Sequence, residues 1–252
     1  LANAATSQSP RIQFALISMG RFGGGELGFA SDADVLYVVT DDGAGDETVA
    51  RGTALARAIG ELTTEPLFPF ELDAGLRPEG KNGPLVRSLE AYRAYYERWA
   101  LGWEAQALLR ARDVVGDAPL RKEFMVLADE VRYPTEFPHN AAREIRRIKA
   151  RVEAERLPQG ADPKRHVKLG PGSLSDVEWL VQLLQLQHGG TTPQLQRADT
   201  LGALEALASE GYLPDEDAHL LEGAWKLCSN LRNALTLSGR PSDVLPADRR
   251  AL

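Results

Sequence analysis

Ser18-Met-Gly-Arg-Phe-Gly-Gly-Gly-Glu-Leu-Gly-Phe-Ala-Ser-Asp-Ala-Asp-Val-Leu-Tyr-Val38 decides how the chain is read. A glycine-rich turn, Gly20–Gly25, leads into Ser31-Asp32-Ala33-Asp34, which opens the apolar run Val35–Val39. Side chains alternate faces along a strand, so Asp32 and Asp34 point one way and Ala33 the other. Two carboxylates so placed repel by roughly 3 kcal/mol at ~6 Å and an effective dielectric of ~20. A cation offsets that repulsion. Mg²⁺ is usually held by one or two carboxylates together with substrate phosphates. The stretch therefore reads as a metal–nucleotide site. For a lone Asp-x-Asp the competing reading is a strand cap, and the glycine turn upstream is what separates the two.

Upstream, Ile12–Met19 reads as a buried strand, and Val35–Thr40 as a second. A short helix or turn is expected at Glu26–Phe29, and a helix over Thr48–Leu62 from the spacing of Val49, Leu55, Ile59 and Leu62. Phe68–Asp73 alternates as a third strand, with Glu71 and Asp73 opposite its apolar side. Asp73 thus joins Asp32 and Asp34 as a third carboxylate, and three carboxylates from two strands can hold two cations. Read alone, Asp73 is a solvent-facing edge residue.

From Ser88, an N-cap, the pattern turns helical, with one long helix expected to about Arg112. Further helices are expected at 119–130, 141–157, 174–188, 199–210 and 216–238, between proline and glycine breakers. The expected fold class is α+β: a small α/β domain over residues 1–113 and an all-α helical bundle over 114–252.

Composition narrows the function classes. The chain has 252 residues and a net charge of −7, which argues against a nucleic-acid partner. No apolar run approaches the ~20 residues of a membrane helix, and the first residues do not read as a basic-then-apolar stretch of the secretory kind. Cys228 is the only cysteine, so the cytoplasm is the expected compartment. The chain opens at Leu1 rather than Met, as a piece of a longer protein would. The glycine cluster is neither a Walker A loop nor a dinucleotide fingerprint, since no Gly-Lys-Ser/Thr follows and no long helix opens after it.

Gly20–Leu27 followed by Ser31–Asp34 resembles the nucleotidyltransferase motif of the DNA polymerase β-like superfamily. More narrowly, it resembles the glutamate–ammonia-ligase (glutamine synthetase) adenylyltransferase family. Leu72-Asp-Ala-Gly-Leu-Arg-Pro78, Trp103-Glu-Ala-Gln-Ala-Leu-Leu-Arg-Ala-Arg112 and Lys168-Leu-Gly-Pro-Gly-Ser-Leu-Ser-Asp-Val-Glu-Trp179 are similar to that family's later signatures, in order. The resemblance implies a polymerase β-like nucleotidyltransferase domain followed by the helical bundle. Asp32, Asp34 and Asp73 would be catalytic and hold Mg²⁺, two ions in all, with ATP as substrate. Gly20, Arg21, Ser31 and Arg77 would contact the nucleotide. Many members have arginine where this chain has Gly75.

The family's enzymes join two such halves. One transfers AMP from ATP to a tyrosine of glutamine synthetase; the other removes it by phosphorolysis. The form of residues 103–112 and the small Ser175 before Asp176 resemble the adenylylating half, and the end of the chain at Leu252 is expected of a carboxy-terminal fragment. Glutamine synthetase is then the protein partner, with a PII-type signal protein for the full-length enzyme.

The alternative on the same fold is the adenylyl-removing half, which would release ADP rather than pyrophosphate. A glutamine- or PII-sensing module with a vestigial site would not bind Mg²⁺-ATP. A small-molecule or RNA-end nucleotidyltransferase fits the first motif but not the other three.

Other residues stay open at this stage. With Ser175 as N-cap, Asp176 favours the helix dipole; otherwise it or Glu178 lines a cleft. Arg143, Arg146, Arg147 and Arg151 form a solvated face or dock an acidic patch. His139, His166 and His188 suit loops and helix ends. Cys228 reads as core beside Leu227 and Leu231, and Trp99 and Trp103 as a packed i, i+4 pair.

Overall fold

The computed structural model describes residues 12–29, 31–40, 45–64, 70–99, 102–138, 140–239 and 243–246. His139 and part of the expected third strand, residues 68 and 69, lie outside them. The chain is α+β and divides into two compact units. The first contains residues 1–27 and 31–134, the second 28–30 and 135–252.

The first unit is built on a mixed sheet. Strand β1 (Phe14–Ser18) leads through a one-turn helix, α1 (Gly20–Gly23), to β2 (Ala33–Val39). β1 and β2 are antiparallel, from Phe14 opposite Val39 to Ser18 opposite Val35. Helix α2 (Asp46–Thr63) follows, then β3 (Leu72–Asp73) and β4 (Val86–Ser88). Both pair with the same edge of β2 in parallel, β3 at its start and β4 at its end. Helices α3 (Leu89–Trp99) and α4 (Gly102–Leu108), strand β5 (Arg112–Gly116) and helix α5 (Ala118–Arg132) complete the unit. β5 runs antiparallel along the free side of β1.

Period-two alternation explains why β1 up to Ile17 and β2 from Val35 are apolar on both faces. Ala15, Ile17, Leu36 and Val38 pack with Tyr92, Leu108, Phe124 and Leu127 from α3, α4 and α5. Phe14, Leu16, Val35, Tyr37 and Val39 pack with Leu55 and Ile59 of α2. A sheet covered on both faces leaves the strands no polar side. Burial pushes the Tyr37 hydroxyl pKa up to about 12.

Two local expectations are corrected. The helical turn sits within the glycine cluster at Gly20–Gly23, not at Glu26–Phe29. The single helix expected from Ser88 to Arg112 is two helices and the start of a strand. Its cap holds, since Ser88 Oγ accepts the Ala91 N–H at 3.1 Å. Trp99 therefore does not share a helix with Trp103. It is more than half exposed, with the Arg98 guanidinium 5.0 Å from its ring. The division after residue 113 drawn from sequence falls inside β5, whereas the compact unit extends to Pro134.

The second unit is helical over most of its described length. Helices α6 (Ala141–Arg156), α7 (Leu174–His188), α8 (Thr200–Ser209) and α9 (Asp215–Leu237) match the expected segments closely. Leu174, Val177, Val181, Ala203, Leu204, Leu207 and Trp225 form its core. Cys228 is half-buried against this core, whereas Leu227 is exposed. No helix among the described residues is long and apolar enough to cross a membrane.

Candidate functional site

The site is assembled where β1, α1, β2 and β3 meet. Asp34 is the second residue of β2, on the side of the strand that carries Leu36 and Val38 further along. In the parallel register Asp34 lies opposite Asp73 and Ala33 opposite Leu72. Register partners in a sheet project to the same face, so the two carboxylates are neighbours while Leu72 packs into the opposite core. Asp32 precedes the strand and is exposed. Among the described residues, no group of three or more His, Cys, Asp or Glu is close enough together to hold a metal ion. The fold thus brings Asp34 and Asp73 together and leaves Asp32 at the margin.

The glycine turn fits itself around Asp34. Met19 N–H donates to the Asp34 carbonyl at 2.8 Å, tying the end of β1 to the start of β2. Gly20 then takes φ +49°, a left-handed conformation that costs glycine little. A Cβ at Gly20 would stand 2.1 Å from Asp34 Oδ2. The backbone passes directly over the carboxylate, where only a residue without a side chain fits. Asp73 is held by its own loop, with Oδ1 accepting the Gly75 N–H at 2.7 Å. Arg21 lies in α1 and Ser31 one residue before Asp32, both upstream of Asp34 in sequence.

Arg77 is engaged with main chain. Its guanidinium donates to the carbonyls of Ala74 at 2.7 Å, Lys81 at 3.3 Å and Gly83 at 3.1 Å, and so shapes the loop after Asp73. Glu79, in the same loop, pairs with Arg87.

The donor set suits a hard cation. Paired carboxylate oxygens beside a glycine-lined turn match what Mg²⁺ takes when phosphates supply its remaining ligands.

In the second unit, Asp176 accepts the Gly172 N–H and pairs with Lys149, so it braces the 168–173 loop against α6. The α7 cap falls on Ser173, two residues earlier than expected, and Ser175 is buried with Oγ donating to the Lys168 carbonyl at 2.9 Å. Arg143, Arg146, Arg147 and Arg151 are all exposed, opposite the buried Ile145. An open groove of about 620 Å³ is lined by Arg197, Asp199, Glu205, Asp215, His219 and Glu222, and by none of the expected site residues.

Sequence reasoning assigned no role to two buried charged residues that touch the glycine turn, Glu26 and Arg110. Their ion pair joins positions 84 residues apart, and only the fold reveals it.

A carboxylate pair beside a glycine turn on a small mixed sheet defines an α+β domain, and comparison with known proteins narrows its class. Residues 2–126 match the family model described as glutamate-ammonia ligase adenylyltransferase, and residues 143–252 one described as GlnD PII-uridylyltransferase. Over 251 residues, 99% of this chain, it is 56% identical to a bifunctional glutamine synthetase adenylyltransferase/adenylyl-removing enzyme of Leifsonia xyli subsp. xyli. Likewise-named enzymes of Mycobacterium avium and Streptomyces avermitilis are 51% and 52% identical over 94% and 95% of the chain. The chain belongs to the glutamate–ammonia ligase adenylyltransferase family. It spans about a quarter of the length of these relatives, covering 25%, 24% and 25% of them.

Proposed function

We propose that this chain is an adenylylating half of such an enzyme, transferring AMP from ATP to a tyrosine of glutamine synthetase with release of pyrophosphate. The observation that carries the reading is the register pairing of Asp34 with Asp73 beneath a glycine turn that admits no side chain over Asp34. The form of residues 103–112 and the small, buried Ser175 support the adenylylating half over the removing one.

In the proposed reaction the tyrosine oxygen forms a bond to the α-phosphorus of ATP. The bond from that phosphorus to the bridging oxygen breaks, and pyrophosphate leaves with the electron pair. A tyrosine hydroxyl is a weak nucleophile at neutral pH, since its pKa is about 10. Asp73 is assigned to accept its proton, and Asp34, with Asp32 at the strand's entrance, to hold Mg²⁺. When bound, the metal would neutralise triphosphate charge and favour the ionised hydroxyl. The main chain of Gly20 and Arg21 faces the triphosphate in this scheme, together with Ser31. Arg77 is assigned to hold the loop behind Asp73, and reaches phosphate only if it releases a carbonyl. A PII-type signal protein is proposed as a regulator of the full-length enzyme.

The test is label transfer. The chain is mixed with Mg²⁺, α-labelled ATP and unmodified glutamine synthetase, with Asp34→Asn as the control. Label on the synthetase with pyrophosphate release, abolished in the control, is the expected result. ADP formed from modified synthetase and phosphate, with no label transferred from ATP, would assign the chain to the removing half.

A further inference from the structure

We infer that Glu26 and Arg110 form a positioning pair, which sets the glycine turn over Asp34 and so governs nucleotide binding without touching the nucleotide. The inference rests on the nucleotidyl-transfer reading above. Arg110 meets the turn twice. Its main-chain carbonyl lies under Gly23, where a Cβ would come within 1.8 Å of the oxygen. Its guanidinium pairs with the Glu26 carboxylate, and the two side chains are only 6% and 7% exposed. Glu26 N–H in turn donates to the Arg21 carbonyl at 2.9 Å, closing the turn that begins at Gly20.

Neighbouring contacts act in the same direction. Ser18 Oγ donates to the Arg112 carbonyl at 3.0 Å, and Arg112 Nη2 to the Phe22 carbonyl at 3.4 Å. The bend that carries Arg110 is itself pinned from α5. Arg132 Nη1 donates to the carbonyls of Leu108 at 2.7 Å and Ala111 at 3.0 Å, while Asp129 pairs with the same guanidinium. A continuous chain of contacts therefore runs from α5 through residues 108–112 to the turn, and from the turn to the carboxylate it covers.

Energetics favour a role in geometry over one in stability. A buried ion pair gives back in attraction about what it loses in desolvation, and apolar residues of similar volume often replace it without loss of stability. What they do not reproduce is direction: two fixed hydrogen-bonded ends that set the distance from the turn to the 108–112 bend. A displacement of about 1 Å at a reacting centre can cost 10²-fold in rate.

The experiment compares the parent chain with Glu26→Leu/Arg110→Met, which fills the space, and with Glu26→Gln, which keeps shape and a hydrogen bond. Affinity for a non-hydrolysable ATP analogue with Mg²⁺ is measured by calorimetry, beside thermal unfolding. The expected result is a double variant that melts within about 3 °C of the parent but binds the analogue roughly tenfold more weakly. Glu26→Gln is expected to be intermediate in affinity. Either variant folding normally and binding the analogue as tightly as the parent overturns the pair's role and leaves the nucleotide reading intact. A parent that does not bind the analogue overturns the nucleotide reading and this inference with it.

Discussion

At the scale of single residues, the site turns on a glycine and a carboxylate that occupy nearly the same space. Gly20→Ala adds a methyl group 2.1 Å from Asp34 Oδ2 at a φ of +49°. The carboxylate must swing away or the turn must lift. The core is untouched, because Gly20 lies at its edge, so the expected cost in stability is only about 1–2 kcal/mol. The expected loss of AMP transfer is at least about 100-fold, because the displaced group is a reacting one. Steady-state transfer assays beside a melting curve check this: activity retained in a folded variant would remove Asp34 from the chemistry. That Asp34 faces away from Ala33 was legible in the sequence because strand geometry has a period of two. The convergence of Asp73 with Asp34 was expected from the alternation of residues 68–73; the register that sets the two opposite each other was not, because strand pairing is defined by the neighbour.

At the scale of elements, local chemistry explains most of what forms. Helix α5 starts at Asp117, whose side chain accepts the Leu120 N–H at 3.0 Å with proline in the first turn. Asp117→Ala is expected to cost about 1 kcal/mol in stability, read by chemical denaturation, with activity little changed. The loop before α7 depends on a histidine. His166 is buried, and its Nδ1 accepts the N–H groups of Lys168 at 3.3 Å and Leu169 at 3.0 Å. Burial lowers its pKa; Asp243 opposes this, while Lys168 and Arg232 add to it.

A histidine whose folded pKa is lowered is more readily protonated when unfolded, so stability rises with pH through that window. Acidification from pH 7 through the ordinary histidine range near 6.5 is therefore expected to destabilise the second unit. His166→Gln should flatten that dependence, as followed by thermal melts across pH 5–8. The element that sequence reading missed is β5. Arg112–Gly116 lies past the end of the expected helix and is too short to show a period of its own, and it is a strand because β1 offers it an unpaired edge.

At the scale of the whole molecule, each compact unit is closed by contacts between residues far apart in sequence. In the first unit, two cores on opposite faces of one sheet require Phe14–Ile17 and Val35–Val39 to be apolar on both sides, which is how the sequence reads. In the second, the helices pack over a core from α7, α8 and α9, and the breakers between them were plain from proline and glycine. The amino-acid sequence by itself determined the α+β class, most helix positions and the motif series that marks the family. These are local properties, set by side-chain period, capping and turn residues within a few positions of one another. Tertiary structure alone decided the register that sets Asp73 opposite Asp34, that residues 112–116 form a strand, that Arg77 holds a loop, and that Glu26 meets Arg110. Each of these depends on which surfaces remain unpaired once the sheet has closed, and no short window of sequence carries that information.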